Sequence, residues 1–216
     1  MTPARDSNRA LRSPSLVDGL PRRHFGAILA DPPWHFRSYS PPITERGDRS
    51  VDRHYPTMGI ADIKALPIEE LTRAEGCHLF LWTTGPHLPQ ALDVVAAWGF
   101  RYSGVAFTWI KLKKSHDAAQ LRVLPTADGD FHVGLGFTTR KNAEFCLLAR
   151  RGNARRLAKD VRELILAPRR EHSRKPDEAH ERIERYARGP YLELFGRQER
   201  PGWTVVGDEK DKFNAA

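Results

Sequence analysis

Cysteine is nearly absent from this chain of 216 residues: only Cys77 and Cys146 occur, far apart and in apolar surroundings. Two such thiols exclude a disulfide framework and read as buried, reduced side chains. The nine histidines show no ligand-like spacing, so no metal is assigned. No apolar run approaches the ~20 residues a membrane span needs. Residues 1–13 are polar and Arg-rich, without the apolar core of a secretory signal. The expected compartment is the cytoplasm, with neither a membrane nor a metal as partner.

Positive charge is what the chain has in excess. Its formal charge of +8 and pI near 9.8 favour a polyanionic partner, because Lys and Arg contacts to phosphates dominate nucleic-acid affinity. A basic protein with no such partner has the same composition, so charge alone leaves the two readings even. Hydrophobic content of 40% and charged content of 29% are ordinary for a globular chain long enough to bury a core. The expected organisation is a flexible basic arm at 1–14 carrying Arg5, Arg9 and Arg12, one domain over 15–209, and a polar tail at 210–216.

Strands and helices alternate along that domain. The continuous apolar run at 26–30 reads as a strand buried on both faces, and 78–83 as a second. Short helices are expected at 60–65, ended by Pro67, and at 68–71. A longer helix follows, with Pro89 in its first turn, Leu88, Leu92 and Val95 on one face, and Gly99 as terminator. Residues 102–110 and 143–149 read as strands; 161–167 reads as a strand or a short helix. Pro176 opens a helix with Asp177 and Glu178 in its first turn and Ala179, Ile183 and Tyr186 facing inward. Strands at 191–195 and 203–206 complete the series, the last at an edge. This alternation predicts an α/β fold with a doubly wound, mostly parallel sheet, which binds ligands at the carboxyl ends of its strands.

At one such end stands Asp31-Pro32-Pro33-Trp34, directly after Ala27-Ile28-Leu29-Ala30. Each proline holds φ near −65° and lacks an N–H, so the backbone is stiff and offers only carbonyl acceptors. An amino group between the Asp31 carboxylate and the Pro32 carbonyl meets two acceptors, and the Trp34 indole can stack on the ring that carries it. That arrangement suits the exocyclic amine of a nucleobase. The plainer alternative is a turn that ends a strand. Residues 38–53, polar and without periodicity, read as a long loop beside the pocket.

Further motifs follow in order: His54-Tyr55-Pro56-Thr57-Met58, Leu79-Phe80-Leu81-Trp82-Thr83, Trp98-Gly99-Phe100, Trp109-Ile110-Lys111 and Glu144-Phe145-Cys146-Leu147. Lys175-Pro176-Asp177-Glu178, Glu193-Leu194-Phe195-Gly196-Arg197 and Pro201-Gly202-Trp203 close the series. In this order and spacing the chain resembles, from about Phe25 to Glu209, the MT-A-seventy family of adenosine-N6 methyltransferases and their bacterial and phage relatives.

The resemblance implies a Rossmann-like methyltransferase fold in which the strands ending at Asp31 and Gly196 are neighbours. It also implies S-adenosylmethionine as methyl donor. It carries donor contacts onto Asp31, Gly196, Arg197, Glu199, Arg200, Asp208 and Glu209, and substrate contacts onto Trp34, Tyr55, Arg140 and Asn142. The catalytic tetrapeptide is Asp31, Pro32, Pro33 and Trp34. At Glu199-Arg200 and Asp208-Glu209 the chain departs from the eukaryotic pattern, though carboxylates still accept ribose hydroxyls. Each of these charged residues reads equally as solvated surface. The implied reaction is methyl transfer to adenine N6 in DNA, with RNA as runner-up and a noncatalytic nucleic-acid-binding partner subunit as the different class. Homo- and hetero-oligomers both stay open. Basic stretches at 1–13, 111–114 and 150–174 are the expected phosphate contacts around the pocket.

Overall fold

The computed structural model describes residues 16–34, 58–114, 131–132, 139, 141–170 and 174–207. Seven strands form one sheet: β1 (Ala27–Ala30), β2 (Gly76–Thr83), β3 (Arg101–Leu112), β4 (Ala143–Gly152), β5 (Leu164–Pro168), β6 (Tyr191–Leu194) and β7 (Trp203–Val206). Their spatial order is β5-β3-β4-β2-β1-β6-β7. Every neighbouring pair is parallel except those involving β4, which runs antiparallel to both β2 and β3. The expected parallel sheet therefore stands, with one reversed strand inside it.

Helices α1 (Ile60–Ala65), α2 (Ile68–Leu71) and α3 (Leu88–Ala97) pack on one face and α4 (Glu178–Tyr186) on the other. Alternation along β1 shows why both faces fill. Ile28 and Ala30 join the cluster with Ile63, Val94 and Trp98, while Ala27 and Leu29 join the cluster with Phe107, Ala179 and Ile183. All four β1 residues are buried, as the unbroken apolar run required.

Two helix faces differ from expectation. On α3 the buried residues are Ala91, Val94 and Val95, while Leu88 and Leu92 are each 37% exposed. The inward stripe 91-94-95 continues to Trp98, whose indole donates to the Ile63 carbonyl at 2.8 Å and sets the helix rotation. On α4 the buried set is Ala179, His180 and Ile183, and Tyr186 is only half-buried, edge-on to His78 and Phe80. The ambiguous 161–167 stretch resolves as β5, paired parallel to β3, and β7 lies at the edge as expected.

Cys77 and Cys146 are both buried free thiols, and burial pushes each above the ordinary thiol range. Among the described residues no helix is long and apolar enough to cross a membrane, and no cluster of three or more metal-ligating side chains occurs.

Candidate active site

The carboxyl ends of β1, β2 and β6 and the start of β4 meet at one pole of the sheet, because β4 is reversed. Asp31 leaves β1 there, its backbone N–H donating to the Leu194 carbonyl of β6 at 3.4 Å. Pro32 then closes a tight turn: its carbonyl accepts the Trp34 N–H at 2.8 Å. One lone pair of that carbonyl is therefore committed and one is left for a ligand.

Beside Asp31 lies a chain of buried charges that local sequence patterns did not assign. Lys175 Nζ is 2.7 Å from Asp31 Oδ2 and 3.2 Å from Glu144 Oε2, and Glu144 also pairs with Lys111. The side chains of Asp31, Lys175 and Glu144 are 20%, 12% and 14% exposed, so water screens them weakly. Burial alone would raise the Glu144 carboxyl, but Lys175 and Lys111 outweigh it and bring the pKa down to about 2. Burial would discharge Lys175, but Asp31 and Glu144 hold it firmly as the ammonium. Asp31 goes the other way: burial exceeds the pull of Lys175, and its carboxyl is raised. The same ammonium sits 5.7 Å from the centre of the Trp82 ring.

The turn carrying Lys175 is held from outside. Arg170 donates to the Lys175 carbonyl and to Asp177 Oδ2, both at 2.7 Å, and Arg200 reaches Asp177 Oδ1 at 3.0 Å. Burial would raise the Asp177 carboxyl, but its arginine neighbours keep it below the usual carboxylate range.

A cleft opens between this network and the end of β6. Asp31, Trp82, Lys175, Phe195, Arg197 and Gln198 line it, with Glu193 and Arg200 among its further walls. Phe195 has φ of 63°, a left-handed conformation rare for a bulky residue and found where surrounding structure enforces it. A Cβ on Gly196 would lie 2.3 Å from Val205 Cγ1, so only glycine lets β6 and β7 close here.

The sequence-derived residues distribute unevenly. Asp31, Gly196, Arg197 and Arg200 gather at this pole, although the Arg200 guanidinium is already held by Asp177. Glu199 is exposed and does not line the cleft. Asn142 is exposed, and its carbonyl accepts the Lys111 N–H at 2.8 Å. Tyr55, Arg140, Asp208 and Glu209 lie outside the described residues, as do the arm at 1–14 and the tail at 210–216.

Trp34 is not an open stacking platform here. It is 4% exposed, lies flat against His87 at 5.9 Å, and its indole N–H donates to the Trp82 carbonyl at 3.0 Å. Trp34 thereby ties the tetrapeptide to the end of β2. Lys175, Glu144 and Lys111 stand within the sequence motifs, whose local pattern alone assigns them no role. Their signal was an ionisable residue at a strand or helix end within an apolar motif.

The fold and the site define a doubly wound α/β enzyme with its polar chemistry at the carboxyl ends of β1 and β6. The MT-A70 family model matches residues 25–209, and the chain belongs to the MT-A70 family of methyltransferases. It is 29% identical over 205 residues to the type II methyltransferase M.MunI of a Mycoplasma species, covering 88% of this chain and 79% of that protein. It is 28% identical over 191 residues to an N(6)-adenosine-methyltransferase MT-A70-like protein of Drosophila melanogaster, and 27% identical over 191 to the human N(6)-adenosine-methyltransferase catalytic subunit METTL3. Each of these two matches covers 87% of this chain, which spans only 27% of the Drosophila protein and 28% of the human one.

Proposed function

We propose that this chain transfers a methyl group from S-adenosylmethionine to the N6 amine of adenine in DNA. The observation that carries the reading is the pairing of Asp31 with Lys175 at the mouth of a cleft. That pairing leaves Asp31 Oδ1 outside the Lys175 contact at the cleft wall, and the next residue, Pro32, keeps one carbonyl lone pair beyond its bond to the Trp34 N–H. The match to the Mycoplasma type II methyltransferase over most of that protein's length supports DNA. The names of the eukaryotic relatives favour the same reaction on adenosine in RNA, which is the second reading.

The cleft fits the donor chemically. Arg197 offers a cation to a carboxylate, Asp31 and Glu193 offer acceptors to a cation, and the wall includes Trp82, whose buried indole Nε1 has no hydrogen-bond partner among the described residues. When bound, S-adenosylmethionine supplies an electrophilic methyl group. The chain's residues do the rest by placement. Asp31 Oδ1 and the Pro32 carbonyl accept the two amine hydrogens, which favours a pyramidal nitrogen with its lone pair free. Lys175 fixes Asp31 through Oδ2, and Glu144 fixes Lys175. Positioning of this kind supplies ~7–11 kcal/mol in favourable cases, and preorganised charge adds to it. The Asp31 carboxyl, raised by burial, is suited to hold the amine proton after transfer. A paired base cannot enter such a cleft, so the target is single-stranded or flipped. The reading places the protein in the cytoplasm, with nucleic acid as its partner.

Incubation with labelled donor and separate DNA and RNA pools, followed by digestion, identifies the methylated nucleoside. N6-methyldeoxyadenosine is expected. Product in RNA alone would select the second reading, and no product in either pool would point to a noncatalytic partner subunit.

A further inference from the structure

At the opposite pole of the sheet, the start of β3 and the end of β4 bring arginines together. Arg101 and Arg150 are directly paired across these strands, and Arg150 is also paired with His78 of β2, so the three side chains form a row on one face. Like charges placed opposite one another destabilise a strand pair. The cost also shows at His78, where burial and then Arg150 bring the imidazole down to about pKa 4. Arg155 and Arg156, just beyond β4, line the same concavity of about 580 Å³, together with Tyr102, which is 44% exposed. No carboxylate lines it, and none of the four arginines forms an ion pair among the described residues. A second concavity adjoins it and shares Arg101 and Arg150, adding Arg23; its Arg73 and Arg151 are held by Glu75 and Glu69. The positive surface is therefore a track, longer than a single phosphate needs.

The structure assigns this pole, we infer, as a second docking surface for the phosphodiester backbone of a nucleic acid, resting on the nucleic-acid substrate proposed above. Its chemistry fits a flexible single strand: guanidinium groups spaced along a groove for successive phosphates, with the exposed Tyr102 ring available for a base. Arg150 lies six positions beyond Glu144 along β4, which is roughly 20 Å at strand rise. A short oligonucleotide in the catalytic cleft cannot reach the arginines, whereas a long one can occupy both. The expected basic stretch at 150–174 is thereby divided: its first arginines serve the far pole, while Arg170 and Arg174 stay with the cleft.

The test compares Arg101→Gln/Arg150→Gln/Arg155→Gln/Arg156→Gln with wild type on single-stranded oligonucleotides of roughly 2 and roughly 30 nucleotides, titrated over salt. On the long strand the variant should bind at least about tenfold more weakly, with a salt slope shallower by about 2–3, while the short strand is bound equally. The fourfold Arg→Lys variant should keep the wild-type slope. Because the Gln changes remove a like-charge pair, melting temperature should hold or rise, which separates lost docking from lost fold. Equal affinity and slope for wild type and Gln variant on the long strand would overturn the inference alone. A wild-type protein that bound neither length would overturn the nucleic-acid reading itself and the inference with it.

Discussion

Lys175 Nζ lies 2.7 Å from Asp31 Oδ2, although 144 residues separate the two along the chain. This contact gives Asp31 a fixed orientation and spends one of its oxygens. Its partner Glu144, anchored by Lys111, keeps the ammonium from turning away.

Lys175→Met should therefore lower methyl transfer by at least about 100-fold, an effect of ~3 kcal/mol on the barrier. It should also destabilise the fold by about 3–5 kcal/mol, because it leaves the weakly solvated Asp31 carboxylate without its lysine and takes from Glu144 one of its two. Asp31→Asn should lose turnover comparably while its amide still meets Lys175 through oxygen and stability falls less. Single-turnover kinetics and denaturant unfolding check both. Turnover of Lys175→Met within tenfold of wild type would remove Lys175 from the site.

Burial of Trp34 makes it a packing residue as well as a motif residue. Trp34→Ala should cost about 3–5 kcal/mol in unfolding free energy. Trp34→Phe should cost about 1–2 kcal/mol, chiefly by leaving the Trp82 carbonyl without its donor. Thermal melts of the two variants decide it. A Trp34→Ala protein as stable as wild type, with only nucleic-acid affinity reduced, would restore the stacking role.

Stability should fall between pH 6.5 and 4 because of His78. Its folded pKa of about 4 lies below the ordinary 6.5, so the unfolded chain takes up the proton first. The stability contributed is fully present above pH 6.5 and is lost as pH drops toward 4, on the order of 3 kcal/mol in all. His78→Phe, facing Tyr186, should flatten that part of the pH–stability curve, as chemical denaturation in this range would show. Glu144 acts in a lower window: its contribution is present above about pH 4.5 and lost toward 2.

Gly196→Ala should destabilise by about 1–3 kcal/mol, since its Cβ must displace Val205 at the end of β7. The same shift moves the rim of the cleft that Phe195 and Arg197 form, so donor affinity should fall too. Calorimetric titration with S-adenosylmethionine measures this, and an unchanged affinity would detach β6 from the donor site.

Much of the architecture follows from local patterns in the sequence. The apolar run before Asp31, the strands bearing Trp82, Trp109 and Cys146, and the helix opened by Pro176 are encoded in periodicity and punctuation, which depend only on near neighbours. The tetrapeptide's position at a strand's carboxyl end is legible in the same way. Other features depend on which strands become neighbours and in what register. Reversal of β4 puts Glu144 at the catalytic pole and Arg150 at the far one, opposite Arg101. The rotation of α3 on Trp98 chose Ala91 over Leu92 as the buried residue, and the turn at Pro32 sent Trp34 inward. Lys175 became part of the site only because folding removed it from water alongside Asp31 and Glu144. Burial makes such charges interact strongly, and burial is a property of the assembled sheet rather than of any segment.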